Sequence, residues 1–179
     1  SGRAPSPKNL AQETDVYPNQ RPFGDHARVC PCGGDRTKRH NRLRSVLAAR
    51  ASAAGLSPEV EKAGLLPARP TEVGVCEAGA AAAVQGRRPA DVWVPNWGLH
   101  GPAAFDLAVT SGLRSGMAST SAADGSSACR SYEARKCSHQ HTAQQCSDQG
   151  LQFVPLVAEA CGGGWGPEAV KTWRTIVRL

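Results

Sequence analysis

Residues 87–111 read RRPADVWVPNWGLHGPAAFDLAVTS, and the fold turns on this stretch. In ADVWVPNW (90–97), Val92 and Val94 alternate against Asp91 and Trp93, the period of a strand with one apolar face. In AAFDLAVTS (103–111), Phe105, Leu107 and Val109 fall on one face, with Asp106, Ala108 and Thr110 on the other. The intervening GLHGP has hairpin length and hairpin chemistry. Antiparallel pairing would bring Asp91 and Asp106 onto one polar face, with their carboxylates expected within ~7 Å, the reach of one shared metal. Carboxylates are rarely buried unpaired. Either a hard divalent cation lies between the two acids, or Asp106 is tied to a cation of the chain such as Arg88 or Arg39.

Upstream, RHNRLRSVLAARASAA (39–54) sets Leu43, Val46, Leu47, Arg50 and Ala54 at helical spacing, and Gly55 closes the helix. SPEVEKAG (57–64) is short and β-compatible. Residues 64–88 hold Pro, Gly and an alanine run and read as a loop with a short helical turn. Downstream, the Gly/Ser/Ala-rich residues 111–127 read as a mobile connection. CRSYEARKCSHQHTAQQCSDQG (129–150) predicts one polar helix of about five turns, ended by Gly150. LQFVPLVAEA (151–160) is a buried strand. GGGWGPEAVKTWRTIVRL (162–179) is a glycine hinge and then a helix with Pro167 in its first turn. The hinge lacks the Gly-Lys-Ser/Thr ending of a phosphate loop. Together these predict one α/β domain over 36–179, a turn-rich Cys/His segment over 25–35, and an extended tail over 1–24.

Aromatics are only 5% of the chain, so the core has to come from Val, Leu and a few large residues: Trp93, Trp97, Phe105, Phe153, Trp165 and Trp173. A net charge of +6 favours polyanionic partners through attraction and counterion release. The excess gathers in Arg36, Lys38, Arg39, His40, Arg42 and Arg44. With Asn41, these residues suit phosphate contact at a helix N-terminus; the alternative is a solvated, capping surface. Seven cysteines at irregular spacing, with no signal peptide, argue against a secreted disulfide framework. A nuclear or other intracellular setting with reduced thiols is expected, and no apolar run is long enough to span a membrane. The opening SGRAPSPKNL lacks an initiator Met and reads as a processed chain or a fragment of a longer product.

The order helix, three antiparallel strands, helix, strand resembles the common core of the PD-(D/E)XK nucleases. RRPADVWVPNW…AAFDLAVTS resembles the RPD…D core of the restriction-like endonuclease in site-specific non-LTR retrotransposons. DHARVCPCGGDRTKRHNRLRSVL (25–47) is similar to the H-x-x-x-C…RHN stretch upstream of that core. SYEARKCSH (131–139) is similar to its helix bearing a Tyr and a Lys. The resemblance covers roughly residues 25–165.

The resemblance implies a metal-dependent nicking endonuclease for DNA, as one module of a polyprotein or larger assembly. Asp91 matches the first acid, with Ala90 inserted after Pro89, and Asp106 matches the second; both would hold Mg²⁺ or Mn²⁺. Glu61 matches an acid that some relatives supply. The usual lysine two residues after the second acid is replaced by Ala108, so Lys136 is expected to import the charge, within ~6 Å of an Asp106 oxygen. Tyr132 shares its helix face. The alternatives are ion pairs of Lys136 with Glu133 or Glu159, and of Glu61 with Lys62. His26, Cys30, Cys32 and His40 include ligand types for Zn²⁺, although no cysteine precedes Cys30. The competing function is a nuclease fold without catalysis, serving as a basic nucleic-acid-binding or complex-stabilising subunit.

Overall fold

A computed structural model describes residues 35–67, 87–113, 116–160 and 164–179. The tail over 1–24, the zinc candidates His26, Cys30 and Cys32, and the alanine run lie outside the described residues. The elements are α1 (Asp35–Ala53), β1 (Glu59–Val60), β2 (Val92–Val94), β3 (Ala103–Thr110), α2 (Ala118–Ala123), α3 (Ser127–Ser138), α4 (Thr142–Asp148), β4 (Gln152–Glu159) and α5 (Pro167–Arg178). Four strands form one mixed sheet in the order β1-β2-β3-β4. The first three pair antiparallel, and β4 joins β3 in parallel after the crossover through α2, α3 and α4.

The apolar runs in β3 and β4 follow from burial on both faces. One face carries Phe105, Leu107, Val154 and Leu156 against Leu47 and Ala51 of α1 and Ala169 and Ile176 of α5. The other carries Ala108 and Val157 against Cys129, with Tyr132 alongside, and Ala104 against Cys146 and Leu151. Phe105 is fully buried, with Trp97 packed edge-on at 5.0 Å between centroids. Truncation of Phe105 to Ala is expected to cost about 3–5 kcal/mol.

Leu43, Leu47 and Ala51 share one stripe of α1, at i, i+4 and i+8. The helix ends in a Schellman turn: Gly55 adopts φ +77°, Leu56 N–H donates to Ala51 O and Gly55 N–H to Ser52 O. This turn folds Leu56 back onto the core.

Several boundaries differ from the sequence reading. Helix α1 begins at Asp35, four residues before the apolar stripe makes it visible. The β2–β3 link is longer than a tight hairpin, because a 3₁₀ turn over Gly98–His100 interrupts it. Residues 118–123 of the supposed mobile connection form α2. The long polar helix is two: Gln140 (φ 51°) and His141 (φ 56°) are left-handed and separate α3 from α4. Among the described residues, no helix is long and apolar enough to cross a membrane.

Candidate active site

Strand β2 is short, and the site forms where it begins. The β2–β3 ladder ends at the Val92–Phe105 pair, and Asp91 stands one residue before it, outside the regular register. The Asp91 N–H donates to Phe105 O at 2.9 Å, and its carbonyl accepts Glu61 N–H at 2.9 Å. Its carboxylate takes over the ladder: Leu107 N–H donates to Oδ2 at 2.8 Å, while His40 Nε2 lies 3.0 Å from Oδ1. Asp91 thus locks the end of β2 to β3, with His40 reaching it from α1.

Asp106 points the other way from Phe105 and Leu107, and its side chain is 15% exposed. Lys136 of α3 places Nζ 2.7 Å from Asp106 Oδ2. Burial raises the Asp106 pKa above its ordinary value; Lys136 opposes this, Asp91 adds to it, and His40 opposes it. Ala108 is buried beside Tyr132 and Cys129. Its small side chain leaves α3 close to the sheet, and Lys136 sits one turn beyond Tyr132.

An open cleft of about 320 Å³ flanks this pair, with Arg87, Arg88, His139 and Gln140 beside Asp106 and Lys136. The left-handed break after α3 carries His139 and Gln140 to this wall. The sequence reading missed that role, because an unbroken helix would have directed the two side chains elsewhere. Arg87 also went unassigned, although RRP stands directly before β2; it bonds the Gln145 side chain and donates to Pro67 O at 2.8 Å.

The remaining candidates divide. Glu61 follows β1 instead of lying on it, with φ 54°. Its carboxylate pairs with Arg44 and with Arg88 (2.7 Å), not with Lys62. Lys62 pairs with Glu59 at 2.7 Å and covers the Trp93 ring. Asp106 is tied to Lys136 instead of Arg88 or Arg39, and Lys136 to Asp106 instead of Glu133 or Glu159. On α1, His40 and Arg44 turn toward the acids, whereas Lys38, Arg39 and Arg42 are exposed. Arg36 lies in the first turn of α1. Because the helix starts at Asp35, Arg39, His40 and Asn41 do not supply the free N–H groups of its first turn. Asn41 instead offers its carbonyl to the Ser45 hydroxyl at 2.9 Å.

Among the described residues, no group of three or more His, Cys, Asp and Glu side chains is arranged to hold a metal ion; Cys137, His139 and His141 do not form one. The Asp106 carboxylate is engaged by Lys136, and that of Asp91 by Leu107 N–H and His40. No family model matches the chain, and no curated protein matches it either.

Proposed function

We propose that this chain is a restriction-like, PD-(D/E)XK-type endonuclease domain of retroelement origin that nicks DNA with Mg²⁺ or Mn²⁺. The observation that carries this reading is the Asp106–Lys136 pair at 2.7 Å, with Asp91 near enough to act on Asp106 electrostatically and a basic cleft alongside. Asp91 and Asp106 are the residues that would hold the ion, which when bound would polarise the scissile phosphate and lower the pKa of a water. The chain's own groups supply the rest. Lys136 is placed to stabilise negative charge developing on the phosphoryl oxygens. Arg87, Arg88 and His139 line the path of a strand backbone, and the exposed Lys38, Arg39 and Arg42 extend the positive surface. His40 fixes the Asp91 carboxylate.

A second reading, a nuclease fold retained for nucleic-acid binding or assembly, is favoured by a different observation. Each acid is already held by a cation or a potential cation of the chain: Asp91 by His40, Asp106 by Lys136, Glu61 by Arg44 and Arg88. Incubation of supercoiled plasmid with the intact chain and Mg²⁺ or Mn²⁺, beside an Asp106→Ala variant, separates the two. The endonuclease reading expects open-circular product from the intact chain and none from the variant. Binding without product from either chain leaves the second reading standing.

A further inference from the structure

The end of β4 folds back on itself. Glu159 N–H donates to Gly164 O and Gly166 N–H to Val157 O, both at 2.8 Å, and Trp165 bridges to Ala158. These bonds fix Trp165 at one end of the sheet, and its half-buried indole packs edge-on against Trp173 at 5.7 Å between centroids. Trp165 is a wall of two grooves. One, of about 360 Å³, runs between α1 and the ends of β3 and β4, with Arg39, Arg42, Leu43 and Val46 along it. The other, of about 500 Å³, follows α5, with Lys171, Arg174 and Arg178 along it. Neither shares a lining residue with the Asp106 cleft.

The cations on α5 are not needed to hold that helix. Its buried stripe is Ala169, Thr172 and Ile176. Lys171, Arg174 and Arg178 form a second, exposed stripe at i, i+3 and i+7, spanning ~10 Å of helix. Arg174 and Arg178 make no ion pair among the described residues, and the Lys171–Glu168 contact is a loose 4.0 Å. Glu159, the acid lining the α1 groove, is engaged by Gly112 N–H at 3.0 Å. A positive groove on each side of one fixed indole is the arrangement by which proteins track a single strand: phosphates meet cations and an unpaired base meets the ring. A duplex keeps its bases stacked and offers no such face.

We propose that the two grooves joined at Trp165 form a binding track for single-stranded nucleic acid, distinct from the Asp106 cleft. Arg42 and the α5 stripe hold the backbone, and Trp165 takes a base. The track does not depend on the endonuclease reading.

The test measures binding of the full chain to fluorescein-labelled oligo(dT), to a mixed-sequence duplex of equal length and to poly-glutamate, across a salt series. The variants are Arg174→Glu/Arg178→Glu and the conservative Trp165→Phe, each first shown by thermal melting to fold. The charge reversal should weaken oligo(dT) binding by about tenfold or more and flatten its salt slope by ~1.4. Trp165→Phe should weaken it by roughly fivefold, with the salt slope unchanged. Duplex binding should move by less than twofold in both. The track is overturned if oligo(dT) affinity is unmoved, if oligo(dT) and duplex lose affinity equally, or if poly-glutamate binds as tightly as oligo(dT). Plasmid nicking measured in parallel separates the two ideas: variant-sensitive oligo(dT) binding with no nicking by the intact chain sinks the endonuclease alone.

Discussion

Two carboxylates are sunk in this small domain, Asp106 on β3 and Glu133 one turn before Lys136 on α3. Burial pushes both above their ordinary pKa, Glu133 to about 7. Their surroundings differ. Asp106 meets an ammonium at 2.7 Å and borders an open cleft with two arginines. Glu133 is 6% exposed, faces the start of α5, and leaves Oε1 without a hydrogen-bond partner. It lies so close to Gly166 that a methyl group there would overlap its carboxylate. A perturbed carboxylate is therefore not by itself the mark of a site. The dedicated cation and the open side distinguish Asp106; the sealed helix junction makes Glu133 a matter of stability.

The largest effect that sharpens this contrast is on catalysis. On the endonuclease reading, Lys136→Ala should lower the nicking rate by ~10²-fold or more, with DNA binding nearly unchanged, because charge stabilisation specific to the transition state is lost. Glu133→Gln should leave the rate within about twofold. Equal losses in the two variants would erase the distinction. Lys136→Ala should also cost roughly 2 kcal/mol of stability at neutral pH by leaving Asp106 part-buried and unpaired. Asp106 has a raised folded-state pKa, so its folded form is favoured by protonation and its contribution falls as pH rises from near 3.8. The variant's deficit should therefore shrink on acidification, as chemical denaturation at pH 4 and pH 7 would show.

The next effect concerns the approach to the cleft. Lys38, Arg39 and Arg42 are exposed on the helix that sends His40 to Asp91. Changing all three to Gln should flatten the slope of log affinity for duplex DNA against log salt by ~2–3 and weaken binding about a hundredfold at low salt. Glu133→Gln should leave that slope alone. A slope that ignores the triple change would return these residues to an ordinary solvated face.

The element order was legible because β2 and β3 alternate, β4 is a nearly continuous apolar run and α1 carries a clean stripe. Strand parity predicted a shared face for Asp91 and Asp106, but the β2–β3 ladder stops at Val92 and the Asp91 carboxylate is taken up by Leu107 N–H and His40 of α1. The arrival of Lys136 was readable only through the resemblance, since no periodicity relates position 136 to position 106. What stayed hidden is tertiary. The break at Gln140 and His141 has no Gly or Pro to announce it, so His139 was read onto a continuous helix. The division of the basic run, with His40 and Arg44 inward and Arg42 outward, depends on where α1 lies on the sheet. The burial of Glu133 depends on Gly166, thirty-three residues away in sequence.

The smallest predicted effect isolates Glu133. Its pKa rises from 4.5 to about 7, chiefly through burial, with the Glu168 carboxylate adding to the shift and the N–H groups at the start of α5 opposing it. An acid whose folded pKa is raised favours the folded state when protonated. That contribution is complete below about 4.5 and is lost as pH rises through about 7. Glu133→Gln keeps the shape and removes the titration, so it should be more stable than the parent above pH 7, by on the order of 1–2 kcal/mol. The gain should vanish by pH 4. Asp106→Asn supplies the control: it also removes a buried charge, but it strips Lys136 of its partner, so no gain at pH 8 is expected. Thermal melts of the three proteins from pH 4 to pH 8 read both halves. Parallel curves for parent and Glu133→Gln would show that Glu133 keeps an ordinary pKa. A matching gain for Asp106→Asn would show that the two carboxylates differ less than their surroundings imply.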